Sequence, residues 1–247
     1  MVKLSKRMKA VASMVTKGNI VADVGTDHGY VPIALISQGK IPEAIALDIN
    51  KGPLERANEH IKLHGLQDKI QTRLSDGVAA ISVGEADSIV IAGMGGELVI
   101  HILSDGEEVC RNARELILQP QSDIDKVRAY LRERKYKIVD EDMILEEGKY
   151  YPMIKVVPVE YDDTWDKLTE DEIKACDIYG PILLKNGNPI LRKYLVKQHQ
   201  VLRDIIEKLK KQQSTEAIER RILEKEKELT YNESAYTILG AIKNAGI

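Results

Sequence analysis

The sequence predicts a doubly wound α/β sheet of seven strands, closed by an antiparallel last pair and followed by an α-helical hairpin. Three observations predict it. Apolar, strand-like runs alternate with helical patterns from about residue 20 onward. Two longer runs, 136–145 and 151–159, then flank the turn Glu147-Gly148-Lys149-Tyr150. Beyond 160–172, which is acidic and carries the single tryptophan, Trp165, strand patterning stops and leucines recur at steps of four and three.

Each element follows in order. Leu4, Met8, Val11, Ala12 and Val15 have helical spacing, with Lys and Arg on the opposite face and Gly18 suited to ending the helix. The run 20–24 reads as a strand and 29–38 as a helix. A second strand at 43–48 leads to a helix over 51–64 that stops at Gly65, and a third strand covers 69–74. Ala79 to Ile81 makes a short helical turn. Asp87 to Ala92 is apolar enough for a strand buried on both faces, and Leu98, Val99, Ile102 and Leu103 mark the next helix. Glu115 to Leu118 gives a fifth strand and 123–134 a helix before the hairpin. In the C-terminal part, Leu191, Leu195, Gln198, Leu202, Ile205 and Leu209 form one seam. Residues 212–215 break it, and Ile218, Ile222, Lys225 and Leu229 resume it, as in an antiparallel pair of helices of about 20 residues. The expected domains are therefore 1–160 and 161–247.

Composition narrows the function. The chain of 247 residues is long enough for one domain of about 150 residues and a smaller second unit. No apolar run approaches the roughly 20 residues of a membrane span, and the basic N-terminus lacks the apolar core of a secretory signal. Cys110 and Cys176 are isolated, which fits a reducing cytosol and gives no zinc spacing. A net charge of −3 means that contact with nucleic acid must come from local patches. Two exist. Residues 1–17 hold Lys3, Lys6, Arg7, Lys9 and Lys17 without an acid, and 185–211 hold eight Lys/Arg against Asp204 and Glu207. The helical hairpin could be a support, a dimerisation element or an arm that follows phosphate backbone.

The chemistry is concentrated at strand ends. Val21-Ala22-Asp23-Val24-Gly25-Thr26-Asp27-His28-Gly29-Tyr30 joins a strand to a helix through a glycine-spaced turn, where backbone N–H groups and a helix start face a ligand. Gly25 permits the turn and Gly29 a close approach of backbone. Asp27 stands where a dinucleotide fingerprint has its middle glycine and would repel a pyrophosphate, so the turn disfavours NAD. It suits S-adenosylmethionine, which carries a sulfonium and an ammonium and no phosphate. Asp48 ends the second strand about 20 residues on, where a ribose-binding carboxylate belongs. Asp76-Gly77 follows the third. Three acids after three successive strands fall on the side of an open sheet where ligands bind.

Gly93-Met94-Gly95-Gly96 closes the fourth strand, where methyltransferases of exocyclic amines show an Asn/Asp-Pro-Pro-aromatic loop. It has no side-chain acceptor for an amine proton. An acceptor with an in-plane lone pair, such as adenine N1, needs none removed, and a carboxylate such as Asp27 would stabilise the cation that develops.

Leu4-Ser5-Lys6-Arg7, the 23–30 turn, Leu47-Asp48-Ile49-Asn50-Lys51-Gly52-Pro53, Ile91-Ala92-Gly93-Met94-Gly95-Gly96, Leu118-Gln119-Pro120-Gln121 and Tyr150-Tyr151-Pro152 together resemble the bacterial TrmK family over essentially the whole chain. Its members are tRNA (adenine-N1)-methyltransferases acting at position 22, in the D-arm region. The resemblance implies a Rossmann-like class I methyltransferase fold with S-adenosylmethionine as donor, S-adenosylhomocysteine as product and no metal. It implies donor contacts from Asp23, Gly25, Thr26, Asp27, Gly29, Asp48, Ile49, Asp76, Gly77, Ala92 and Gly93. Asp27, His28 and Tyr30 are the expected catalytic group, with His28 equally able to be a packed helix-start residue. Lys6, Arg7, Met94, Gly95, Gly96, Tyr150, Tyr151, Lys193 and Lys197 are expected to contact RNA, one of the two tyrosines facing a flipped base and the other the core. The expected partner is tRNA, the expected location the cytoplasm and the expected state a monomer, with a dimer through the hairpin left open. A small-molecule, protein or other-RNA methyltransferase, or a non-catalytic RNA-binding relative, would share the donor-side pattern.

Overall fold

The computed structural model describes residues 2–159 and 165–244, with side chains up to residue 240. The chain separates into two compact units, 1–162 and 163–247. The boundary expected at residue 160 falls among 160–164, outside the described residues.

The first unit runs α1 (Lys6–Met14), β1 (Val21–Val24), α2 (Tyr30–Ser37), β2 (Ala44–Asp48), α3 (Lys51–Leu63), β3 (Ile70–Leu74), β4 (Ser88–Met94), α4 (Gly96–Asp105), α5 (Glu107–Asn112), β5 (Glu115–Pro120), α6 (Ile124–Glu133), β6 (Tyr136–Glu146) and β7 (Lys149–Pro158). Among the described residues the sheet has seven strands in the order β3-β2-β1-β4-β5-β7-β6. The first five are parallel, and β7 lies antiparallel between β5 and β6. This is the Rossmann-like methyltransferase fold.

Every residue of β1 and β5 is buried, as expected where helices cover both faces. Val21, Ala44, Ala46, Ile70, Val90, Ile117 and Met153 share one apolar cluster with residues of α1, α2 and α3. Strand alternation turns Ala22, Ile45, Ile89, Ile91, Leu116 and Leu118 to the other face, where α4 packs on β4 and β5 and α6 on β6.

Two polar devices hold α1 in place. Ser5 caps it by accepting from the Met8 amide (3.2 Å), and the Glu146 carboxylate accepts from the amides of Lys6 (2.7 Å) and Arg7 (3.3 Å). Behind the helix, buried Glu115 accepts from the Thr16 amide and hydroxyl, the Ser88 hydroxyl and the Lys155 ammonium. Burial alone would push this carboxyl up, but its hydrogen bonds from Lys155, Thr16 and Ser88 outweigh burial and hold it below the usual range.

The chain leaves β1 outward through β2 and β3, then returns to lay β4 beside β1. In open sheets, ligands bind at such a reversal, which here falls at the carboxyl ends of β1 and β4.

The second unit corrects the expected simple hairpin. It contains α7 (Glu170–Tyr179), α8 (Pro181–Lys185), α9 (Pro189–Lys210) and α10 (Glu216–Asn244), and α10 packs on α7 and α8 as well as on α9. Its helical pair is antiparallel, since Lys210 meets Glu226 while His199 meets Asn232. Along α9 the buried side chains are Leu191, Leu195, Leu202, Ile206 and Leu209. Ile206, and not Ile205, completes the stripe, because a straight helix turns every 3.6 residues and the seven-residue seam of a coiled coil drifts away from it. Asn232 is fully buried and hydrogen-bonded to Leu195 and Tyr179. A polar residue at that position is a further departure from an apolar coiled-coil seam.

Candidate active site

The β1–α2 turn is built from left-handed residues. Gly25 (φ +70°) and Gly29 (φ +69°) bracket Asp27, itself at φ +49°. A Cβ on Gly25 would collide with the Met94 methyl, so a glycine here lets Met94, at the end of β4, lie across the end of β1. A Cβ on Gly29 would stand 3.4 Å from that of Ala57 on α3. The turn is further tied down by the amides of Gly25 and Thr26, both donating to the Leu47 carbonyl.

Asp23 is only 5% exposed, and the Thr26 hydroxyl donates to its carboxylate at 2.6 Å. Burial pushes its pKa up to about 6; the Thr26 bond pulls it back in part, and the charge of Asp48 adds to the rise. A carboxylate held in this way is poised to ionise fully when a cation arrives. Asp48 ends β2 in the adjacent strand position, its side chain accepting from the Asn50 amide at 2.9 Å. Ile49 beside it is 59% exposed, an apolar side chain left open at a strand end. Asp76 and Gly77 follow β3 and line a cleft of about 240 Å³ with Val78, His101, Ile102 and Asp105. Gly77 lies against Ile102, where a Cβ would stand 3.1 Å from that side chain. Asp23 within β1, Asp48 at the last residue of β2 and Asp76 just after β3 thus lie on three neighbouring strands of the sheet.

Farther along the turn, Asp27 is exposed and paired with Arg56 of α3 at 2.7 Å. Its other oxygen lies 3.4 Å from Nε2 of His28. Three rings gather here: His28 and Tyr30 with centroids 5.1 Å apart, Tyr30 and His60 at 5.0 Å, and His28 and His60 at 5.4 Å. The His60 Nδ1 lies 3.1 Å from the His28 carbonyl, which can only accept, so His60 donates there. Nδ1 of His28 is buried with no hydrogen-bond partner, so that ring is placed by the stack and by Asp27. Tyr30 remains 39% exposed.

A second cluster lies at β4 and β5. The strand is bulged between Ala92 and Met94, and Gly93 is at φ +85°. Arg7 sits over it: a Cβ on Gly93 would be 3.4 Å from the guanidinium and 3.7 Å from the Gln121 amide. Arg7 donates to the buried Gln119 side chain at 2.6 Å, and its guanidinium stands 5.6 Å over the Tyr151 ring. Ser122 accepts from the Gly96 amide at 3.3 Å. Tyr151 packs against the apolar cluster under α1, and Tyr150 is its neighbour across the alternation of β7. Lys6 is exposed at the start of α1, whereas Lys193 and Lys197 are exposed on α9 and belong to the second unit.

Sequence reasoning missed Arg56, His60, Ser122 and Glu146, and gave Gln119 and Gln121 no role. Only Arg56 and His60 had a readable signal, four residues apart on one face of α3. Among the described residues no group of His, Cys, Asp or Glu could hold a metal. No described helix is long and apolar enough to cross a membrane.

A family profile described as a methyltransferase domain matches residues 4–154. The tRNA (adenine(22)-N(1))-methyltransferase of Bacillus subtilis is 34% identical over 222 residues, 90% of this chain and 92% of that protein. The crystal structure of the B. subtilis enzyme TrmK superposes with a TM-score of 0.83 at 32% identity, covering 97% of this chain and all of that one. A Streptococcus pneumoniae protein solved with S-adenosyl-L-methionine gives a TM-score of 0.77 at 32% identity over 96% of this chain and all of that one.

Proposed function

The chain belongs to the TrmK family of bacterial methyltransferases, and from that footing we propose that it is a tRNA (adenine(22)-N(1))-methyltransferase that uses S-adenosylmethionine. The observation that carries the reading is the reach of the relationship, nine-tenths of each chain, which takes in both the strand-end loops and the helical unit. The residues present fit the donor. Buried Asp23, with its raised pKa, matches a cationic ligand, and the left-handed glycines at 25 and 29 keep the turn clear of Cβ atoms. Asp48 offers a carboxylate for ribose hydroxyls, exposed Ile49 an apolar face, and Asp76 an acceptor beside a cleft.

When bound, S-adenosylmethionine supplies a methyl group on a sulfonium, which the in-plane lone pair of adenine N1 takes up with no proton removed first. The protein's part is positioning and electrostatics. Arg7, held by Gln119 over Gly93 with the Tyr151 ring beneath its guanidinium, forms a wall of the acceptor side. Tyr30, braced by His28 and His60, forms another. Asp27 faces the growing positive charge, and its pairing with Arg56 fixes its direction while screening part of its field. RNA backbone follows the basic residues of α1 and the exposed Lys193 and Lys197 of α9. Its tRNA substrate puts the protein's work in the cytoplasm. Every residue assigned to the site comes from a single chain, so a monomer suffices, while a dimer through the helical unit stays compatible. Incubation of the purified protein with unmodified tRNA and donor, followed by nucleoside mass spectrometry, should yield 1-methyladenosine. Methylation of another nucleoside, or of none, would overturn the reading.

A further inference from the structure

Glu146 lies at the end of β6, next to a two-residue turn in which Glu147 (φ +50°) and Gly148 (φ +78°) are both left-handed. Turns of this kind match the twist of the strands they join and fix a hairpin tip firmly. The tip is paired in register up to Glu146 and Lys149, and two pairs earlier Ile144 lies opposite Tyr151. One short hairpin end thus carries both Tyr151 and Glu146.

The Glu146 carboxylate reaches across 140 residues of sequence to the amides of Lys6 and Arg7. These are two of the first amides of α1, which have no partner inside the helix. Satisfying them with a carboxylate fixes the start of α1 against the hairpin and complements the positive end of the helix dipole. The side chain of the second residue so held, Arg7, then bonds Gln119, stands over Tyr151 and abuts Gly93. The connection is continuous, from hairpin tip to helix start to guanidinium to the loop after β4.

Building on the proposed function, we infer that Glu146 is a positioning residue for RNA methylation: it sets the place of Arg7, and through it the wall facing the acceptor base, without touching donor or base. Three consequences separate this role from general support of the fold. Donor binding, whose charged contacts Asp23, Asp48 and Asp76 lie on or after β1, β2 and β3, stays as it was when Glu146 is changed. Turnover on tRNA falls. The deficit is shared with Arg7 and does not add to it.

The test uses the full chain with Glu146→Ala, Glu146→Gln, Arg7→Ala and the double variant Glu146→Ala/Arg7→Ala. Donor affinity is measured by calorimetry and methylation by steady-state rates on a tRNA transcript. Glu146→Ala should lower kcat/KM for tRNA by about tenfold or more, the scale of a misplaced positioning group, with unchanged donor affinity. Glu146→Gln should recover part of it, since one amide oxygen can still accept from one N–H. The double variant should be no slower than Arg7→Ala alone. Deficits that multiply, or a donor affinity that falls in parallel, would overturn the inference. Wild-type protein inactive on tRNA would bring down the functional reading and this inference with it; active wild type with a fully active Glu146→Ala brings down the inference alone.

Discussion

Asp23 offers the sharpest prediction, because its environment sets both a sign and a size. Its pKa stands at about 6 in the folded protein against 3.8 for an ordinary aspartate, chiefly through burial. Between those values the folded state holds more protons than the unfolded one, so stability falls as pH rises and levels off above about 6. A shift of about two units corresponds to about 3 kcal/mol at 1.36 kcal/mol per unit. Asp23→Asn keeps an oxygen for the Thr26 hydroxyl and removes the titration. Denaturant unfolding of both proteins at pH 4 and pH 8 should show the variant gaining on the wild type by up to about 3 kcal/mol across that interval. Donor binding should behave oppositely. A cation favours the ionised carboxylate, so wild-type affinity should weaken about tenfold for each pH unit below 6, and binding near pH 6 should release protons. Calorimetry in two buffers of different ionisation enthalpy would record that release. A stability difference that is flat in pH, together with donor binding that releases no protons, would refute the reasoning.

Further substitutions probe separate features of the protein. Asp48→Ala should weaken donor binding by about 1–3 kcal/mol, the cost of leaving buried hydroxyls unpaired, while the protein still folds and unfolds cooperatively; titration calorimetry measures the first and a thermal melt the second. Gly25→Ala places a methyl against Met94 and a side-chain residue at φ +70°, so it should destabilise the protein by about 1–2 kcal/mol and impair donor binding. The combination with Met94→Ala should relieve only the collision. Lys193→Glu and Lys197→Glu should leave donor affinity intact and flatten the slope of log affinity for tRNA against log salt, by somewhat less than one unit for each phosphate that is no longer neutralised. An unaltered slope would take α9 out of the RNA footprint.

The sheet was legible because its signals are local. β1 and β4 are apolar runs of the kind that only a strand covered on both faces needs, and Gly25 and Gly29 are required by left-handed backbone. The three strand-end acids could be read from their position after those runs. What escaped is non-local or lies at element ends. β4 continues to Met94 through a bulge, whereas a glycine run suggested that it stops at Ala92. Arg56 meets Asp27 from 29 residues away and Glu146 meets Lys6 from 140, and no periodicity announces such a pair. α7 and α8 are short and lie next to an acidic stretch, so their pattern was lost in the boundary. The choice of Ile205 over Ile206 followed a seven-residue repeat that a helix packed on other helices of its unit does not obey.

The most direct test of the central claim is to map the methylated position. A methyl group on N1 blocks the pairing edge of adenine, so reverse transcription halts there. A tRNA transcript incubated with the protein and S-adenosylmethionine should give a stop at position 22. The same transcript with guanosine at that position should give none and incorporate no methyl group. A stop elsewhere, or undiminished incorporation into the guanosine transcript, would contradict the account.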